Sequence, residues 1–451
     1  MNDVPARSPY DPPRAPYPDL PRQALADLER MLDAAGPPDS PFDGAPAARH
    51  AALREYVEAS AADLCGLSHA IHGQPELGFE ERAAARAVAD LLTAAGVPVE
   101  VGACDLDTAV RARIGRRRPR VALLAEYDAL PGIGHACGHN IIAATAVGAF
   151  LALAAQIDTL GGSVELIGCP AEEGGGGKEF IARAGGFDDV DAALMLHPAG
   201  FDAAAIDWLG VRQVEAVFHG LSAHAAAMPQ LGRNALDGAV AAYQGVAALR
   251  QHMLPGDRVH GIITDGGQAP NVVPARAAVR FYLRSSRLDT LAELTERARE
   301  VCEGAALASG TQLALHWDPC PVYVPVRNSA TLAGRYAVHA AARGRRVLPP
   351  GQGPTGFAAS TDLGNVSVRV PAIHPTLAVA PPEVSLHTPA FADWAISAQG
   401  DTGVVDGAVA LAQTAADLLV DEQLQTAMRR EFQDAGGVID VVRDTAPPGP
   451  R

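Results

Sequence analysis

Aromatic residues make up only 5% of the 451 positions, so the interior has to be filled by aliphatic and small side chains. Cysteine is scarce too: Cys65, Cys104, Cys137, Cys169, Cys302 and Cys320 are scattered, with no CxxC pair. In a chain this long that excludes a disulfide framework and leaves most of them as small buried hydrophobes. Basic residues are the minority, 36 Lys and Arg against 52 Asp and Glu, for a formal net charge of −16. That excess repels phosphate backbones, so nucleic acid is not an expected partner. No apolar run opens the chain as a secretory signal would, and the stretch 140–155 is too short and too rich in Ala and Gly for a membrane span. These readings predict a cytoplasmic protein with no membrane association.

The length and the 48% hydrophobic content suit two domains. Residues 1–22 carry seven prolines, and 1–46 reads as a Pro-rich, disordered arm in which 25–34 has the makings of a short helix. Helices are predicted over 47–69, 82–95 and 141–155, and buried strands over 121–125, 163–168 and 192–197. This order argues for an α/β catalytic domain, helices on both faces of a mostly parallel sheet, built from 47–210 and 323–425. Between the two pieces, 211–322 reads as β-α-β-β-α-β, an inserted ferredoxin-like α+β domain. Strands near 366–370 and 376–380 and a helix over 402–420 resume the first pattern, and 426–451 is left as a C-terminal tail.

Four places carry chemistry. In GHACGHN, Cys137 and His139 stand two apart on a Gly-containing loop before a helix, and thiolate and imidazole are good ligands for zinc and its neighbours. A buried cysteine beside a structural histidine is the plain alternative. In CPAEEGGGG, Glu172 and Glu173 follow a buried strand; adjacent residues of extended backbone face opposite ways, so one carboxylate would bind metal and the other face the reacting water. A solvated acidic turn is the plain alternative there. His197 ends the run AALMLH, and His387 lies far along the chain in SLHTPAF. One cleft at the strand ends would collect all of these, and five N, S and O ligands suit two ions sharing a bridge.

The sequence resembles the amidohydrolase branch of the aminoacylase/carboxypeptidase-G family of two-metal metallopeptidases, and within it the Xaa-Arg dipeptidase subgroup. The resemblance runs from about position 69 to 420. It is carried by IHGQPELGFEE, EYDALPGIGHACGHN, CPAEEGGGGKEFIARAGGF, GLSAHAAAMP, NALD, VHGIITDGGQAPNVVP and STDLGNVS, in that order. It implies Cys137, His139, Glu173, His197 and His387 as ligands of two divalent ions, zinc or manganese, with Glu172 as catalytic base. It implies that the insert is a dimerisation and lid module of a homodimer. His224 would reach the neighbouring subunit's active site and stabilise an oxyanion, and Asn271 and Arg284 would hold the substrate's carboxylate. Most of the wider family has His-x-Asp where this chain has Glu126-Tyr127-Asp128, which leaves Glu126 without an assigned role and makes Asp128 a support for the ligands rather than one of them. The implied activity is hydrolysis of an amide bond, in a dipeptide with a basic C-terminal residue or in an N-acyl or aminobenzoyl amino acid. A metal-free scaffold or binding protein is the reading from another class.

Overall fold

Continuous apolar runs with no polar alternation form strands covered on both faces, and the centre of the molecule is built from them. The computed structural model describes residue 17 and residues 19–353 and 359–449. Arg120–Glu126 and Ser163–Cys169 are buried along their whole length and pair in parallel. They lie inside a six-stranded sheet with Val99–Val101 and Val110–Gly115 added antiparallel on one side, and Ala192–Leu194 and Ala372–Ile373 added parallel on the other.

The helix His139–Ala154 is apolar all round and buried from His139 to Leu153. It packs between the sheet and Ala398–Val420. Ala398–Val420 is, among the described residues, the one helix long and apolar enough to cross a membrane, and 89% of its apolar window is buried in the protein core.

The insert is a separate layer. Gln312–Trp317, Gly210–His219, Arg276–Ser285 and Arg258–Asp265 form an antiparallel sheet in that spatial order, and the helices Ala235–Leu249 and Leu288–Ser309 share a core with it. The chain order β-α-β-β-α-β and the antiparallel pairing are those of a ferredoxin-like unit.

Several local expectations are corrected. Of the arm read over 1–46, residues 1–16 and 18 lie outside the described residues; the short helix expected over 25–34 is present but longer, Leu20–Ala34, and it is no loose arm, for Leu28 packs with Phe201, Trp208 and Leu348. Burial of that apolar stripe outweighs the local proline content. The helix read over 47–69 is two, Ala47–Ala59 and Ala61–Gly73, hinged at Ser60. The strand read near 366–370 is instead the short helix Leu363–Ser367. The tail is no appendage: Glu422–Asp434 is a helix burying Leu424 and Met428, and Val441 joins the core of the insert. AALMLH is also not one strand. The chain leaves the large sheet at Leu194, and His197–Ala199 pairs with Thr376–Ala378 in a second sheet that also holds Asp202–Ala203 and Val347–Leu348.

Candidate metal centre

The carboxyl ends of the buried strands open on one side of the large sheet, where the connecting segments converge. Gly138, at φ +79°, turns the chain from the Cys137 loop into the helix, and a Cβ there would stand 2.9 Å from Pro198. This close approach brings the Cys137–His139 loop against the His197 segment. Beyond Cys169 the chain turns sharply at Ala171, which is left-handed at φ +57°. Glu172 and Glu173 therefore lie in a turn. The expectation from extended backbone, that the two carboxylates face opposite ways, is not met: Glu172 Oε2 is 3.8 Å and Glu173 Oε1 3.9 Å from the same His139 Nε2.

The donor atoms group in four overlapping sets, each with its donor atoms within 4.8 Å of one another: Cys137, His139 and His197; Cys137, Glu173 and His387; His139, Glu172 and Glu173; and Glu126, Glu172 and Asp362. Cys137 is common to the first two. Cys137 Sγ is 3.4 Å from His197 Nε2, and His387 Nε2 is 3.3 Å from Glu173 Oε1. Two ligands bound at about 2.0–2.3 Å to one tetrahedral ion stand roughly 3.3–3.8 Å apart, so these spacings suit a shared cation.

The imidazoles are oriented from behind. His139 Nδ1 donates to Asp128 Oδ1 at 2.8 Å and His197 Nδ1 to the Pro198 carbonyl at 2.7 Å, which turns both Nε2 atoms toward the cleft. Asp128 Oδ2 also accepts from the Glu173 backbone N–H at 2.8 Å, so one carboxylate sets both residues. His387 holds φ +60°, and its N–H donates to the Ala136 carbonyl at 2.9 Å.

The residues fit two cations on a further count. His139 Nε2, Glu126 Oε2 and Glu173 Oε1 are buried polar atoms without a hydrogen-bond partner. Glu126, Asp128, Glu172 and Asp362 are buried around them, with Lys178 the buried cation among them, touching Glu126 and, at 2.5 Å, Asp362 Oδ1. Buried charge in such excess is very costly without compensating positive charge. Burial first, and then the Glu126 and Glu173 carboxylates, push Glu172 well above the usual carboxylate range. Burial and Glu173 likewise raise the Cys137 thiol, which ionises readily only beside a cation.

These groups open onto a cavity of about 870 Å³ whose far wall belongs to the insert. Arg284 stands there, its Nη1 donating to Ser360 Oγ at 2.7 Å. His224 and Asn271 do not join it. They sit on exposed, neighbouring loops of the insert, bridged at His224 and Val272, and outside the cavity of their own chain. His224 Nδ1 accepts from the Ala226 and Ala227 N–H groups, so its proton sits on Nε2.

Sequence reasoning missed several lining or supporting residues. Arg258, His260 and Tyr282 line the insert wall, with Arg258 directly opposite Arg284 and His260 opposite Tyr282 across two paired strands. Period-two alternation in the predicted strands was a signal for that face. Lys178 and Asp362 lie within CPAEEGGGGKEFIARAGGF and STDLGNVS but carried no assigned role, and Tyr323, whose hydroxyl donates to the Glu172 carbonyl at 2.7 Å, had no local signal.

A family model described as the peptidase dimerisation domain of the M20 group matches residues 209–309. The chain is 36% identical to the Xaa-Arg dipeptidase of Mus musculus over 394 residues, 84% of this chain and 91% of the relative. It is 32% identical to one of the subunits of p-aminobenzoyl-glutamate hydrolase of Escherichia coli, over 88% of this chain and 95% of that protein. Among solved structures, the Bacillus subtilis YXEP protein, a dinuclear metal-binding peptidase of the M20 family, shares the fold with a TM-score of 0.61 at 22% identity, covering 79% of this chain and 98% of that one. On this similarity, over nearly its whole described length, the chain belongs to the M20 peptidase family and is a hydrolase of amide bonds.

Proposed function

We propose that the protein is a two-metal amidohydrolase of dipeptide-like substrates, with one ion held by Cys137, His139 and His197 and the other by Cys137, Glu173 and His387. The observation that carries this is the convergence of five donor side chains on one point, His139 Nε2 and Glu173 Oε1 among them buried and without a hydrogen-bond partner, with Glu172 beside them. When bound, the ions polarise the scissile carbonyl and acidify the attacking water. Glu172 takes the proton from that water and delivers it to the leaving amine. Its raised affinity for a proton suits the second half of that task, and its position near His139 the first. Thiolate ligation favours zinc, while the mixed N and O donors also accept manganese.

Arg284 holds the free carboxylate of the substrate, for which a half-buried guanidinium without an ion-pair partner among the described residues is suited. Asn271 assists it and His224 stabilises the oxyanion, both from a second copy of the chain, which agrees with their exposure and their place outside the cavity of their own chain. The assembly is a homodimer through the insert, which supplies the matched dimerisation domain. A cytoplasmic location is in keeping with six free cysteines, one of them needed as a thiolate.

Two substrate readings are supported by different observations. The Mus musculus relative favours a dipeptide with a basic C-terminal residue. The paired Arg258 and Arg284 in the cavity wall favour an N-acyl or aminobenzoyl amino acid with more than one negative charge. Hydrolysis of a panel of both kinds, with zinc, manganese or cobalt supplied, tests the proposal. Turnover of one kind, abolished by chelator, supports it; no turnover of any amide with metal bound contradicts it.

A further inference from the structure

The segment HGQPELGFEE supplies no donor atom to the metal centre, yet it ends on a fully buried carboxylate, Glu81. Three separate segments meet on that side chain. Glu81 Oε1 accepts the backbone N–H of Phe79 at 2.9 Å and that of Ala171 at 2.8 Å, and Oε2 accepts the Thr108 hydroxyl at 2.8 Å.

Phe79 and Ala171 share one property. Both hold a left-handed backbone, at φ +66° and +57°, which is unfavourable for a residue with a Cβ. Such a conformation persists only where the surroundings over-determine it, and here one carboxylate oxygen holds both amides. The two segments are in direct contact: a Cβ at Gly78 would stand 2.8 Å from the Ala171 Cβ. The Ala171 carbonyl is satisfied inside its own turn by the Gly176 N–H at 2.8 Å, so its N–H is the group that looks outward.

The turn that carries Glu172 and Glu173 therefore has three successive anchors. Glu81 holds the Ala171 N–H, Tyr323 the Glu172 carbonyl and Asp128 the Glu173 N–H. The first of them sets the bend from which Glu172 leaves, and Glu172 Oε2 ends 3.8 Å from His139 Nε2. From this geometry, and resting on the amidohydrolase reading above, we infer that Glu81 is a positioning residue for proton transfer: by holding Ala171 left-handed it sets the direction of the Glu172 carboxylate. Without Glu81 the buried Ala171 N–H loses its acceptor, which is costly. Rotation of Ala171 into an ordinary backbone region then carries Glu172 off its line, while Glu173 keeps its separate tie to Asp128.

Three substitutions separate positioning from support of the fold. Glu81→Gln keeps an oxygen for the two amides and offers its NH₂ to the Thr108 oxygen. Glu81→Asp keeps the charge but withdraws the acceptor by one methylene. Glu81→Ala removes it. kcat and KM are measured on the metal-loaded full chain with p-aminobenzoyl-glutamate or a dipeptide ending in arginine, whichever wild type hydrolyses, beside metal content and thermal unfolding. Glu81→Gln should stay within about threefold of the wild-type kcat, whereas Glu81→Asp and Glu81→Ala should lose about 100-fold in kcat with KM within about threefold and both ions retained. If Glu81→Ala does not fold, the contrast between Asp and Gln carries the test. A role confined to holding the fold predicts lower unfolding temperatures with kcat of the folded, metal-loaded chains unchanged, and that result overturns the inference, as does a loss in Glu81→Gln equal to that in Glu81→Asp. Wild type that hydrolyses no amide with metal bound refutes the amidohydrolase reading itself, whereas active wild type with unchanged kcat in the Asp and Ala variants refutes only the role of Glu81.

Discussion

Glu173 and His387, brought together from distant parts of the chain, meet at 3.3 Å, and His387 does so from a left-handed backbone at φ +60°. That conformation costs a residue with a Cβ about 1–2 kcal/mol, and such strain is found where a site requires it. In His387→Gly the strain is relieved and the imidazole removed. Metal content should fall from two ions toward one per chain, while the metal-free protein unfolds within about 1 kcal/mol of wild type. Elemental analysis and urea unfolding read the two effects separately; retention of both ions contradicts the assignment.

Arg284 presents its guanidinium to the cavity with Ser360 as its hydrogen-bond partner and no carboxylate among the described residues. Arg284→Met should raise KM by roughly 10- to 100-fold, the equivalent of about 1.5–3 kcal/mol for a charge-assisted hydrogen bond, with the smaller effect on kcat. An unchanged KM with a collapsed kcat would move Arg284 from substrate binding to the chemical step.

His224 lies exposed and outside the cavity of its own chain. Mixing Glu172→Gln chains with His224→Ala chains should restore part of the lost activity once subunits have exchanged, because each mixed dimer contains one site with both residues intact. Mixed dimers shown to form, yet wholly inactive, contradict action across the dimer.

His374 is fully buried, packs on Trp208 with ring centroids 4.6 Å apart, and is held well below the usual histidine range by burial and then by His197. As pH falls through about 6.5 the unfolded chain takes up a proton that the folded chain refuses, so the stability attached to this residue is present above that pH and lost below it. Between pH 6.5 and 5.5 wild type should lose up to about 1.4 kcal/mol more than His374→Leu, in urea unfolding with metal kept saturating. Parallel pH slopes contradict this.

The candidate site was legible in the sequence where its residues are local. Cys137-x-His139 and Glu172-Glu173 each stand on one loop after a buried strand, whereas His197 and His387 gained their meaning from motif order. The structure adds what depends on pairing over long range. Lys178 meets Glu126 and Asp362 only because three separate segments pack together. Arg258 faces Arg284 through strand register. In the fold, the β-branched alternation of VSVRV reads as strand, yet the Ser367 hydroxyl accepts from the Arg327 N–H and the Asn365 side chain from the Val324 N–H, and these contacts hold the segment as a helical turn. Propensity yields to tertiary contact there.

The central claim is that Glu172 transfers the proton while Glu173 binds metal, two adjacent residues in one turn with separate tasks. Metal content and kcat measured together on Glu172→Gln and Glu173→Gln test it most directly. Glu172→Gln should keep both ions and bind substrate while kcat falls by a factor of about 10² to 10⁴ or more, and Glu173→Gln should lose metal. Loss of metal from Glu172→Gln with retention in Glu173→Gln, or near-normal kcat in both, would contradict the account.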